Sequence, residues 1–105
     1  MPKADSDVNP PTGVRRLTVP ASVDMVNVLG PRDEFLRILE RDLAADVHVR
    51  GNEFTFTGEP TDVTVAAEVL TELVTIVRTG QGLTADAVER VTGHKLEGRA
   101  AGGVI

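Results

Sequence analysis

Apolar and polar residues alternate along two short stretches that flank a Gly-Asn pair. Residues 46 to 50 read DVHVR, residues 53 to 57 read EFTFT, and Gly51-Asn52 lies between them. Strict alternation is typical of half-buried strands, and a two-residue Gly-Asn connection is typical of a tight hairpin. The apolar pairs are predicted to form the buried face, and the polar pairs, with Thr57, the exposed face. The predicted pairs are Arg50–Glu53, Val49–Phe54, His48–Thr55 and Val47–Phe56.

Four other segments have the apolar spacing of amphipathic helices. They cover residues 22 to 29, 33 to 43, 61 to 79 and 84 to 92, with apolar side chains three and four apart. Hydroxyl or carboxylate side chains precede these segments and glycines follow most of them, which is the usual arrangement of caps and stops. The predicted N-caps are Ser22, Asp33, Thr61 and Thr84, and the predicted stops are Gly30, Gly80 and Gly93.

A first strand over residues 15 to 20, RRLTVP, completes the order β-α-α-β-β-α plus an extra helix. This order predicts the α+β class, with a three-stranded sheet covered by helices on one face. Residues 14 to 92 form the predicted domain. Residues 1 to 13 are predicted to be a disordered arm, because they hold three prolines and a single Val. Residues 93 to 105 are Gly- and Ala-rich and are predicted to be a linker inside a longer protein.

Composition narrows the possible functions. The 105 residues include 16 acids and 11 bases, for a net charge of −5, which argues against strong autonomous nucleic-acid binding. There is no cysteine, so disulfides and thiolate metal sites are excluded. His48 and His94 have no neighbouring ligands at metal-binding spacing, and no nucleophile–base arrangement is visible. Neither a metal site nor a catalytic site is predicted.

The order of elements resembles that of KH-type nucleic-acid-binding domains. Such domains carry a GxxG motif between their first two helices, where it clamps a nucleotide backbone. GPRD, residues 30 to 33, falls at that place. Its chemistry is less favourable, because Asp33 replaces the second glycine and Pro31 has no N–H to offer. One hypothesis is a nucleic-acid site made of Gly30, Pro31, Arg32, Asp33 and Arg37, together with His48 and Arg50 of the exposed hairpin face. The alternative is an ordinary turn, in which Gly30 ends one helix and Asp33 caps the next, beside a solvated sheet face.

A narrower resemblance covers about residues 15 to 92. The strings LGPRDEFLRILERDL, VRGNEFTFTGEP and AAEVLTELVTIVRTGQGLTADAVERV resemble the N-terminal region of PhoH-like proteins, a family associated with phosphate starvation. The resemblance implies a cytoplasmic bacterial P-loop ATPase that binds ATP and magnesium in a domain absent here. It also implies that this region contacts its own ATPase domain and sister subunits in a homo-oligomer. No G-x-x-x-x-G-K-[ST] motif occurs in this chain, so the chain is not expected to be an enzyme itself.

Two hypotheses for function follow. In the first, the chain is an accessory domain that binds single-stranded RNA through a degenerate GxxG loop, with Arg32 and Arg37, together with Arg15 and Arg16, as candidates for a basic patch. In the second, it is a protein-interaction or assembly module that regulates the ATPase without touching nucleic acid. The acidic charge and the missing second glycine favour the second hypothesis. The position of GPRD favours the first.

Overall fold

The helices and strands occur in the predicted order, and the α+β class is confirmed. In this computed structural model the backbone is described for residues 13 to 104 and the side chains for residues 13 to 97. The predicted N-terminal arm therefore lies outside the described residues, apart from Gly13. The elements are β1 (Gly13–Thr18), α1 (Met25–Leu29), a 3-10 turn (Pro31–Asp33), α2 (Glu34–Asp42), β2 (Asp46–Arg50), β3 (Glu53–Gly58), α3 (Pro60–Arg78) and α4 (Ala85–Val104).

The sheet is antiparallel, with β3 between β1 and β2. All four predicted pairs of the β2–β3 hairpin are confirmed. Phe54 and Phe56 are fully buried, and their rings stack with centroids 6.2 Å apart. On β1, Arg15 and Leu17 lie opposite the two phenylalanines. Because opposite residues share a face, β1 directs Arg15 toward the helical side of the sheet and Arg16 toward the open side.

Helix α3 is buried over more of its surface than the sequence predicted. The helical spacing predicts a buried stripe, and its members Val63, Ala66, Ala67, Leu70 and Leu73 are buried. Val65 and Val69, which lie outside that stripe, are buried as well. The reason is that α3 packs against α4 as well as against the sheet, and α4 also contacts α2. Val88 of α4 is fully buried in the same core.

Two of the predicted helix starts are wrong. The first helix begins at Met25, and Asp24 is its cap because its carboxylate accepts from the Val26 N–H at 3.2 Å. Ser22 does not cap the helix, because it lies in a turn that precedes the helix. That turn is closed by a hydrogen bond of 2.9 Å from the Val23 N–H to the Pro20 carbonyl. Helix α3 begins at Pro60 rather than after Thr61, because a first-turn proline loses no hydrogen bond.

The end predicted for the last helix is also wrong, although its start is right. The Ala87 N–H donates to the Thr84 hydroxyl at 3.1 Å, as a cap should. The helix then passes through Gly93 and continues to Val104. A glycine inside a helix costs about 1 kcal/mol, and packing of Leu96 against the core in the following turn offsets it. Much of the predicted linker is thus helical, and its role as a linker stays a prediction.

Salt bridges at the surface join α4 to the helices beneath it. Arg41 of α2 donates to Asp42 and, at 3.1 Å, to Glu89 of α4. These hydrogen bonds, with the one to Asp42 the stronger, raise the pKa of the Arg41 guanidinium above its ordinary value. Lys95 of α4 lies 3.6 Å from Glu72 of α3. All five side chains are at least partly exposed, so these pairs orient α4 more than they stabilise it.

Gly30 is the position where we expect the addition of a single methyl group to destabilise the fold most. Its φ is +82°, and a Cβ there would lie 2.7 Å from the Phe35 ring. We expect Gly30→Ala to lower the free energy of unfolding by about 2 to 4 kcal/mol, from backbone strain and steric overlap together. Urea denaturation measures this change.

Gly80→Ala is the matched control, because Gly80 also has a positive φ, +89°, but has no atom within 4 Å of the added Cβ. Only the strain should remain there, a loss of about 1 kcal/mol. Equal losses at the two positions would show that the Phe35 contact contributes nothing.

Candidate nucleic-acid interface

The turn between α1 and α2 has an unusual backbone. Gly30 has φ +82°, and both Arg32 and Asp33 are left-handed, with φ of +55° and +59°. Left-handed backbone is easy for glycine and costs other residues free energy, less for Asp than for most. The chain therefore keeps a glycine-like conformation at Asp33, where a GxxG motif has its second glycine.

Most backbone donors of this turn are already used. The Gly30 N–H donates to the Val26 carbonyl at 2.8 Å, and the Asp33 N–H donates to the Gly30 carbonyl at 3.1 Å. The Glu34 N–H donates to the Pro31 carbonyl, and Pro31 has no N–H. A phosphate at this turn would find few free backbone donors. Any attraction must come from side chains.

Asp33 does not act as predicted. It stands at the N-cap position of α2, but its side chain makes no capping hydrogen bond. An N-cap side chain reaches the first-turn N–H groups from an extended backbone, and the backbone of Asp33 is left-handed. The prediction of a side-chain cap is wrong for this physical reason. The carboxylate is instead exposed beside that of Glu34.

The basic side chains of the predicted site lie on two elements. Arg32 and Arg37 are exposed, in the turn and one helical turn beyond it, while His48 and Arg50 are exposed on β2. Helix α2 contacts β2, so the two elements are neighbours. Within the part of the chain that the structure describes, no salt bridge within 4.0 Å involves Arg32, Arg37 or Arg50. Arg50 does not pair even with Glu53, which lies opposite it in the hairpin. Their charges are available to a ligand.

A groove of about 550 Å³ lies between α2 and β2. Leu43 and Val47 line its apolar part, and Glu40, Asp46 and His48 supply the polar groups. The sequence prediction included His48 but missed the two acids. The two carboxylates line the groove, whereas Arg32, Arg37 and Arg50 do not, so the groove itself repels phosphate.

Arg15 and Arg16 do not join this interface. They follow each other on β1, at the other edge of the sheet from β2, and they point to opposite faces. A single basic patch made of Arg15, Arg16, Arg32 and Arg37 is therefore not formed.

Other kinds of site are not found. No group of three His, Cys, Asp or Glu side chains in residues 13 to 97 could hold a metal ion. In the described residues, no helix combines the length and the apolar character that crossing a membrane requires.

Comparison with known proteins gives a consistent picture. No family model matches the sequence. The chain is 55% identical over 64 residues to a PhoH-like protein of Mycobacterium tuberculosis, covering 61% of this chain and 18% of that protein. It is 50% identical over 74 residues to a PhoH-like protein of Mycobacterium leprae, covering 70% of this chain and 21% of that protein. The resemblance to PhoH-like proteins is confirmed, and the chain spans about a fifth of their length.

Solved structures confirm the KH-like fold. Dim2p from Pyrococcus horikoshii matches 88% of this chain and 54% of its own, with a TM-score of 0.61 and 18% identity. A protein of unknown function from Aeropyrum pernix matches 97% of this chain and 56% of its own, with a TM-score of 0.66 and 13% identity. A chain from a complex of a/eIF2alpha, aDim2p and rRNA, also from Pyrococcus horikoshii, matches 90% of this chain and 53% of its own, with a TM-score of 0.61 and 17% identity. At such identities the likeness concerns the fold.

The left-handed backbone of Asp33 can be tested by comparing two variants that both lack the carboxylate. We expect Asp33→Gly to be more stable than Asp33→Ala by about 1 kcal/mol, because glycine adopts this conformation without strain. Urea unfolding of both variants gives the difference.

Glu68 provides the control, since it is exposed in the middle of α3. There the order should reverse, with Glu68→Ala more stable than Glu68→Gly by about 1 kcal/mol. The same order at both positions would contradict a left-handed Asp33.

Proposed function

We propose that this chain, a KH-like domain related to PhoH-like proteins, is an RNA-binding accessory domain of a bacterial P-loop ATPase. The observation that carries the proposal is the exposed Arg32 in the GPRD turn, at the position where KH domains grip a nucleotide backbone. A fold neighbour that comes from a complex containing rRNA adds support. ATP and magnesium would bind in the part of the longer protein that this chain does not include.

In the proposed mode, side chains replace the backbone donors of an ordinary GxxG loop. Arg32 and Arg37 contact the phosphates of single-stranded RNA, while His48 and Arg50 approach from β2. Binding of this kind is electrostatic and weakens as salt rises. Asp33, Glu34, Glu40 and Asp46 oppose it, so a single domain binds weakly.

Weak binding suits an oligomer. If the parent ATPase is a homo-oligomer in the cytoplasm, several copies of the domain can hold one RNA strand at once. Linked weak sites gain about 10²- to 10⁴-fold in avidity without any new contact. The domain would then distinguish a strand that spans several subunits from a short oligonucleotide.

The proposal predicts measurable, salt-dependent binding by the 105-residue chain. We expect fluorescence anisotropy with a short single-stranded RNA to show binding at low ionic strength that is largely lost at physiological salt. Arg32→Glu should weaken the binding at low salt by about tenfold, because it replaces an attraction with a repulsion. Arg16→Glu changes the net charge equally but lies on β1, and it should have little effect. Absence of binding at low salt, or equal losses in the two variants, would reject the proposed site.

Asp33→Gly is expected to act in the opposite direction. It removes a negative charge and restores the second glycine, so affinity for the same RNA should rise by about three- to tenfold. Asp33→Ala separates the two causes, since it removes the charge but not the strain. An unchanged affinity in both variants would show that the turn does not touch RNA.

The second candidate function is assembly without RNA. The engaged N–H groups of the turn and the net charge of −5 favour it. Native mass spectrometry of a complete PhoH-like protein, with and without the region that corresponds to residues 13 to 104, decides this point. A smaller oligomer in the truncated protein supports assembly, and identical oligomers count against it.

A further inference from the structure

Strand β1 has one edge without a partner among the described residues. It pairs with β3 on one side only, so the backbone N–H and C=O groups of the other side point away from the sheet. Its side chains are mostly exposed, and Val14 is 59% exposed. An open edge of this kind can accept an additional strand.

A trough runs along α3 beside this edge. Its volume is about 640 Å³, and it is bounded by Arg15 and Leu17 of β1 and by Lys95 of α4. Its floor is the exposed stripe of α3, which presents Thr64, Thr71 and Thr75 and also the carboxylates of Glu68 and Glu72. A second cavity at the far end shares Leu17, Thr71 and Thr75 and continues to Arg78. The open edge and the trough together offer space for an extended chain along the whole of β1.

The floor of the trough has few free hydrogen-bond donors. The Thr64, Thr71 and Thr75 hydroxyls donate to carbonyls within their own helix at 2.8 to 2.9 Å. They therefore present methyl groups and oxygen lone pairs. Such a floor accommodates small apolar side chains, while the strand edge supplies the backbone hydrogen bonds.

The charges beside the edge indicate what could lie there. Arg15 faces the trough, Arg16 faces the open side of the sheet, and Arg78 lies at the far end. Within the described part of the chain none of the three forms a salt bridge, whereas Lys95 is next to Glu72. In the trough, Glu68 and Glu72 offset the charges of Arg15 and Lys95. On the open face Arg16 has no such counter-charge, so an added strand is favoured when it places an acidic side chain opposite Arg16.

We propose that the β1 edge is a docking site for a partner protein, which adds an extended segment carrying acidic residues as a fourth strand. Backbone hydrogen bonds to β1 provide affinity, and acidic side chains on the open face of the added strand, opposite Arg16, provide specificity. Small apolar side chains of the segment contact Leu17 and the threonine methyl groups.

A second copy of the chain fits this edge less well. Antiparallel pairing of two β1 strands around Arg15 or Arg16 sets arginines against arginines, and directly opposed like charges are destabilising. Charged residues on an edge can also serve only to prevent such pairing. An edge with that role would bind neither an acidic nor a basic strand, and this result would distinguish it from the proposed docking site.

The site is independent of the proposed RNA interface. β1 and β2 are the two opposite edges of the sheet, with β3 between them. A strand added to β1 leaves the GPRD turn and the groove beside β2 uncovered. Failure of one proposal therefore leaves the other standing, and the same arginine variants report on both.

The test uses a soluble ten-residue peptide of alternating glutamate and valine, titrated into the 15N-labelled chain. We expect chemical-shift changes and slower amide exchange in β1, with shift changes in Thr71 and Thr75 as well. Arg16→Glu should weaken binding at least tenfold. Arg50→Glu has the same change in charge on the opposite edge strand and should leave peptide binding within about twofold.

Three controls define the outcomes. A peptide with lysine in place of glutamate should not bind, and a glutamate peptide N-methylated along one edge should bind much more weakly, because it cannot complete the ladder. Equal binding of the glutamate and lysine peptides, or no change in the β1 amides at millimolar peptide, overturns the proposal. A dimer of the free chain in native mass spectrometry that Arg16→Glu alters also overturns it, in favour of a second copy at the edge.

Discussion

The burial of Phe54 and Phe56 on the central strand is the constraint from which the rest of the sheet follows. Complete burial of each ring stabilises the fold by about 1.5 to 3 kcal/mol relative to exposure. The side-chain period of a strand is two, so a slip of one residue would move both rings into water. Their burial therefore sets the register of β3 against both neighbours, and with it the outward direction of His48 and Arg50 on β2 and the opposite directions of Arg15 and Arg16 on β1.

A second aromatic contact shapes the candidate site. The Phe35 ring lies so close to Gly30 that no side chain fits there, and this contact holds the entry of α2 against the end of α1. The turn between the two helices is consequently tight, and its N–H groups bond to carbonyls of α1 and of the turn itself. The hydrogen bonds that stabilise the turn therefore leave few of its backbone N–H groups free to bind a ligand. In the proposed RNA-binding mode, recognition at this turn therefore depends on side-chain charge, and Arg32 supplies the exposed positive charge.

The sheet edges separate two possible activities in space. β2 lies beside α2 and the acidic groove, whereas β1 lies beside the threonine-lined trough on α3. α4 contacts α2 and α3 but no strand among the described residues, so it covers neither edge. The two proposed interfaces, one for a nucleic acid and one for a protein, therefore lie at opposite edges of the sheet. Such an arrangement would suit an accessory domain within a longer protein.

The sequence by itself determined the element order, the hairpin pairs and most of the core, because periods of 2 and 3.6 are local properties that a packed face imposes directly. It also located the GPRD turn and its chemical weakness, since Pro31 and Asp33 have the same side chains in any fold. Tertiary structure decided the rest. Ser22 and Thr61 have the chemistry of caps, but the preceding turn and Pro60 moved the helix starts, and Gly93 lies inside a helix because Leu96 packs beyond it. The burial of Val65 and Val69, the acids beside the β2 groove and the separation of Arg15 from Arg16 depend on which elements become neighbours, and that is settled only when distant parts of the chain pack together.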